Sequence, residues 1–109
     1  MTVHKLIDSA HLNPISVNDG EREIVGAYVG DLLSWVMGRA SADNVWITIM
    51  SNVNVIAVAS LIDISCVILA EGVTLDEDVM RVAKEKGVNI LGSSLPVYET
   101  AKLIAGIIE

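Results

Sequence analysis

From Glu23 onward the chain alternates. Four aliphatic runs of strand length, each followed by a helical pattern, account for most of the sequence to Ile108. Strand Glu23–Val29 precedes helix Asp31–Gly38, and strand Val45–Met50 precedes helix Asn54–Asp63. Strand Cys66–Ala70 precedes helix Asp76–Lys86, and strand Val88–Leu91 precedes helix Pro96–Ile108. Strands separated by helices imply crossover connections, and crossovers build parallel sheets. The predicted fold class is α/β: a small single domain, residues 1–109, with a mixed, mostly parallel sheet flanked by helices. The length, 109 residues, suits one such domain and is short for two. Apolar residues make up 52% of the chain and Phe is absent. The core is therefore aliphatic, as suits strands buried on both faces.

Ahead of this alternation, "TVHKLIDSA" predicts a short helix with Thr2 as N-cap. "ISV", then "NDG", then "REIVGAYV" predicts a hairpin turning at Asp19-Gly20. Gly26 suits a close approach by a neighbouring element. Thr74 and Glu77 have the spacing of a capping box, and Asp76, Glu77 and Asp78 complement a helix dipole. Lys84 and Lys86 fit the last turn of that helix, with Gly87 as its left-handed cap. Ser94 and Pro96 suit the start of the final helix.

Several function classes are disfavoured. With 14 acidic and 7 basic residues the formal charge is -7, which opposes binding to nucleic acid and to anionic membranes. "NVWITIMSNVNVIAVASLI" is long enough to suggest a membrane span, but Ser51, Asn52 and Asn54 sit at its centre. A buried strand, a polar turn and a helix explain it better. Asp8 interrupts the apolar core that a signal peptide would need. The lone Cys66 fits a reducing cytoplasm and reads as a small buried hydrophobe. His4 and His11 read as surface residues and do not fill a zinc shell. No nucleophile elbow, phosphate-binding glycine motif or cationic cluster is present. The chain is therefore predicted not to be an enzyme, and to need no metal and no cofactor.

In open α/β sheets ligands bind outside the carboxyl ends of the strands. Four loops are predicted at that edge: Gly30-Asp31, Ser51-Asn52-Val53-Asn54, Glu71-Gly72-Val73-Thr74 and Gly92-Ser93-Ser94. Small residues and helix N-termini make such an edge friendly to anions. The candidate ligand-binding residues are Gly30, Asp31, Ser51, Asn52, Asn54, Glu71, Gly72, Ser93 and Ser94. The same residues equally serve as turn and cap residues; Asp31 in particular suits a helix cap and would repel a phosphate.

Two features point to self-association. The final helix has a narrow polar stripe of Glu99, Lys102, Gly106 and Glu109, with apolar residues over the rest. In "DLLSWVMGRA" the set Leu32, Leu33, Val36 and Met37 reads as a core stripe, and Trp35 falls beside it. A homodimer is predicted, with Trp35 or the outer face of the final helix in the contact.

The blocks "DGEREIVGAYVGDLLSWVMGRA", "VWITIMSNVNVIAVASLIDISCVILAEG" and "GVNILGSSLPVYETA", in this order, resemble the DRTGG domain family. The resemblance implies a small α/β regulatory module, similar in fold to the N-terminal domain of HPr kinase. It also implies dimerisation near a nucleotide site, with catalysis elsewhere, and so an adenine-nucleotide-like ligand. Stand-alone members of the family are associated with iron-only hydrogenase components, so the alternative is a pure interaction subunit with a protein partner in a redox assembly. The Asp-Arg pair that names the family is absent here: Ser51 to Val53 stands in its place. Of the Thr-Gly-Gly, replaced by Ala70 to Gly72, only Gly72 survives. Asn52 and Asn54 remain able to hydrogen-bond a neutral or purine-like group.

Overall fold

A computed structural model describes residues 1–108. Four strands run parallel, each hydrogen-bonded to the next: β2 (Ala27–Val29), β3 (Val45–Thr48), β4 (Cys66–Leu69) and β5 (Ile90–Gly92). A fifth, β1 (Asn13–Ser16), lies antiparallel to β5, giving the order β1-β5-β4-β3-β2. The helices are α1 (Val3–Ala10), α2 (Leu33–Arg39), α3 (Val53–Leu61), α4 (Glu77–Lys86) and α5 (Val97–Ile108). The expected mostly parallel α/β domain is therefore present. None of the helices is long and apolar enough to cross a membrane.

Strand alternation divides the core between the two faces of the sheet. Trp46, Val67, Leu69 and Ile90 pack with Val36, Val55, Ile56 and Ala83 from α2, α3 and α4. Val45, Ile47, Cys66, Ile68 and Leu91 pack with Val3 and Leu6 of α1 and Ile104 of α5. Every residue of β3 and β4 is buried, which is why these strands read as unbroken aliphatic runs.

The expected hairpin does not form. The chain does turn at Asp19-Gly20, but the segment beyond it runs back along the N-terminus. His4 N–H donates to Gly20 O at 2.9 Å, Val3 N–H to Arg22 O at 3.0 Å and Ile24 N–H to Met1 O at 2.9 Å. The His4 imidazole lies over Gly20 in the space a side chain there would fill. β1 is thereby released to pair with β5. The strand expected from Glu23 begins only at Ala27, because Gly26 takes a left-handed φ of 77° beside the Asn44 amide. The other element ends lie within a residue or two of expectation.

The caps are also redistributed. Thr2 caps α1 as expected, accepting Lys5 N–H, and Gly87 ends α4 with φ 70°. The Thr74–Glu77 box does not form; Asp76 is the N-cap, without a side-chain bond. α2 starts after Leu32 rather than at Asp31, and buries only Val36. Leu32 and Met37 are exposed, so the expected core stripe holds for Val36 and partly for Leu33. Ser94 does not cap α5: the Glu71 carboxylate reaches across and accepts Val97 N–H at 2.8 Å. Glu109, placed in the polar stripe of that helix, lies outside the described residues.

Cys66 is fully buried in β4, and burial pushes its thiol up to about 12, partly opposed by the Arg22 charge. Since the thiolate is the reactive form, Cys66 at neutral pH is expected to resist alkylation until the chain unfolds. Mass spectrometry after iodoacetamide treatment, with and without urea, checks this; rapid labelling of the folded chain would contradict the buried position.

Candidate functional site

The four parallel strands present their carboxyl ends on one edge. After β2 come Gly30 and Asp31, and after β3 come Ser51, Asn52 and Asn54. After β4 come Glu71 and Gly72, and after β5 come Ser93 and Ser94. The nine predicted residues thus share an edge. They do not share one cavity.

The connections explain where a cavity forms. α2, α3 and α4 pack on one face of the sheet, whereas α5 packs on the other with α1. The β4 loop leads to one face and the β5 loop to the other, and the two are tied together: Glu71 N–H donates to Leu95 O and Gly72 N–H to Ser93 O at 2.9 Å. A crevice lies outside the strand ends, between the β4 loop and the paired ends of β1 and β5, the usual ligand position in open α/β sheets. Here it is a cavity of about 190 Å³, lined by His11, Asn13, Ile15, Gly72, Val73, Thr74, Gly92, Ser93 and Ser94. Gly72, Ser93 and Ser94 come from the predicted set.

His11, Asn13 and Ile15 were missed by sequence reasoning. They reach the crevice because Asn13 pairs with Gly92 in the β1–β5 ladder. A Cβ at Gly92 would come within 3.1 Å of Ile15 Cδ1, so the glycine lets β1 close over the crevice floor. His11 is placed by its left-handed cap conformation, φ 53°, at the end of α1. The available signal was the run "HLNPIS" just after a helix, which the hairpin reading assigned to the wrong neighbour.

The other predicted residues have structural partners at the same edge. Gly30 O accepts the Trp46 indole N–H at 2.8 Å. The Asp31 carboxylate accepts the Thr48 hydroxyl at 2.6 Å and Ile49 N–H at 3.1 Å, tying the β2 and β3 loops together. Asn52 caps α3 by accepting Asn54 N–H at 2.9 Å. Glu71, with φ 62°, turns its carboxylate to α5 as described, and its N–H donates to Leu95 O at 2.8 Å. Ser93 is buried; its hydroxyl bonds Thr100 Oγ1 at 2.9 Å and accepts Leu95 N–H at 3.2 Å.

No Lys or Arg lines the crevice. The charges around the edge are carboxylates: Asp31 after β2, Glu71 after β4, and Asp76, Glu77 and Asp78 at the start of α4. Against the expected anion-friendly edge stand these charges, and the N–H groups of Ile49, Asn54 and Val97 are already accepted by Asp31, Asn52 and Glu71. Among the described residues, no three of His, Cys, Asp and Glu gather where they could hold a metal ion.

A mostly parallel sheet layered between helices, with a crevice at its carboxyl edge, defines a small α/β domain. The DRTGG domain model matches residues 24–107, and the chain belongs to that family. No curated protein matches it. Among solved structures it is similar to the CBS and DRTGG domains of the regulatory region of Clostridium perfringens pyrophosphatase, complexed with the activator diadenosine tetraphosphate. The TM-score is 0.74 at 14% identity, over 94% of this chain and 45% of that one. At that identity the likeness is one of fold, and the chain spans less than half the length of its neighbour.

Proposed function

We propose that the chain is a non-catalytic, homodimeric regulatory module of the cytoplasm that senses a nucleotide-like small molecule. The observation that carries this reading is the crevice at the carboxyl edge, between the β4 loop and the paired ends of β1 and β5. Membership of the DRTGG family supports it, as does the nucleotide activator of the similar pyrophosphatase region. Hydrolysis or group transfer is not part of the reading: Cys66 is sealed in the core, and the carboxylates of Asp31 and Glu71 are committed to the Thr48 hydroxyl and to backbone N–H groups.

The homodimer is supported by exposed apolar side chains at the β2 side of the molecule, including Val29, Leu32 and Trp35. The same surface would serve the alternative, an interaction subunit docked on another protein chain. Sedimentation of the pure protein separates the two.

Diadenosine tetraphosphate is the first ligand to test, by thermal melting and calorimetry. At a hundredfold excess over Kd, binding is expected to stabilise the fold by about 2.7 kcal/mol. Ser94 is exposed at the crevice, so Ser94→Tyr should fill the opening and abolish the shift while leaving the unliganded melt near that of the parent. If neither diadenosine tetraphosphate nor any adenine nucleotide shifts the melt, the chain is not a nucleotide sensor.

A further inference from the structure

We propose that the crevice takes the uncharged, hydrogen-bonding end of its ligand, a nucleobase-like heterocycle, and turns any phosphates out into solvent. This rests on the sensing role proposed above and goes further, by assigning which part of the ligand is held. The lining includes Asn13, Thr74 and Ser94 together with Ile15 and Val73; His11 is the single lining residue able to carry positive charge. A lining that mixes apolar side chains with an amide and hydroxyls suits a flat ring with a donor–acceptor edge, which an asparagine amide can pair in two places. The cavity of about 190 Å³ is below the roughly 300–1,000 Å³ of pockets that enclose drug-sized molecules. It is the scale of one ring system, not of a whole nucleotide.

The positions where an α/β edge ordinarily holds phosphate are already taken. The first N–H of α5 is accepted by Glu71, that of Ile49 by Asp31 and that of Asn54 by the Asn52 cap. The first turn of α4 carries Glu77 and Asp78 after Asp76. A phosphate brought to the starts of α4 and α5, the helices that follow β4 and β5, would meet carboxylates. A cationic ligand fits no better, because no carboxylate lines the crevice itself.

Adenosine, AMP, ATP and inorganic pyrophosphate, titrated into the whole chain at two salt concentrations, test this. Adenosine is expected to bind at least as tightly as ATP, with little salt dependence, and pyrophosphate is expected neither to bind nor to compete. Asn13→Ala should weaken adenosine about three- to tenfold. Glu71→Gln keeps an amide oxygen for Val97 N–H but removes the charge; it should narrow the preference for adenosine over ATP by a similar factor of about three to ten. Thermal melts of the unliganded variants separate lost binding from lost folding. Affinity that rises with phosphate number, with competition by pyrophosphate, would overturn the inference and leave nucleotide sensing standing. Parent-like adenosine binding by folded Asn13→Ala would place the ring outside this crevice. If neither nucleoside nor nucleotide binds, the inference and the sensing reading fall together.

Discussion

Asn89→Ala is expected to lower the unfolding free energy of the chain by about 3–4 kcal/mol, as read from urea denaturation. Asn89 is 3% exposed, and its side chain makes four hydrogen bonds. Its Oδ1 accepts Asn18 N–H at 2.8 Å and Asp19 N–H at 2.9 Å. Its Nδ2 donates to Asp19 O at 2.8 Å and to Ser65 O at 3.0 Å. Truncation leaves Ser65 O buried without that donor, and buried orphans are the costly ones; the groups of the exposed Asn18 and Asp19 can regain water. Asn89→Asp separates the two halves of the effect, since it keeps the acceptor and loses the donors. A variant within about 0.5 kcal/mol of the parent would mean that this loop is held by something else. The effect should also reach the crevice, because Asn18 lies two residues beyond the end of β1, the strand that carries Asn13 and Ile15. Hydrogen exchange along β1 is expected to quicken in both variants.

Asn89 also marks the boundary of what the sequence discloses. The parallel strands and their helices were legible because burial on two faces writes aliphatic runs, and helix packing writes periodic ones. The basic end of α4 and its Gly87 cap were legible for a similar reason: their chemistry is local. The partner of β1 was not. That choice is made by Asn89 gripping residues about seventy positions away, and by Gly20 fitting under the His4 ring, and neither contact leaves a pattern in adjacent residues. Losing β1 to a false hairpin cost the site His11, Asn13 and Ile15. The predicted loops reached the right edge because parallel strands fix the carboxyl side. Where the crevice lies on that edge depends on β1 pairing with β5, which brings Asn13 and Ile15 beside Gly92, and adjacent residues do not reveal that. Asp31 and Glu71 were recognised as edge residues; their bonds to the next loop and to the next helix were not.

The last expected result concerns assembly. Trp35→Asp combined with Leu32→Asp should weaken self-association by at least about a hundredfold, converting a dimer at micromolar concentration to a monomer in sedimentation. α5 is the poorer candidate surface. Ile104 is buried, and Val97, Ala101, Leu103, Ile107 and Ile108 pack against the core, leaving Tyr98 as its most exposed large side chain. Around β2 the balance is reversed. Val25, Val29, Leu32, Trp35 and Met37 are all exposed and belong to β2, α2 and their flanking turns; Ile49, just after β3, and Val53, which opens α3, are exposed as well. β2 is also an edge strand. Val45 N–H donates to Gly26 O and Gly30 N–H to Ile47 O, so by alternation Ala27 and Val29 aim their backbone groups outward, unpaired. Burying a large apolar side chain contributes roughly 1.5–3 kcal/mol before the cost of association, and a two-fold contact uses each one twice. Arg39 stacks over the Trp35 ring with 3.8 Å to the centroid, which fixes the indole for such a contact. Fluorescence gives an independent reading: Trp46 is fully buried and Trp35 half-exposed, so a blue shift with rising concentration reports on Trp35. A parent chain that sediments as a monomer at high concentration removes the dimer. A dimer that survives both substitutions moves the contact to another surface, and Tyr98 on α5 is the next residue to change.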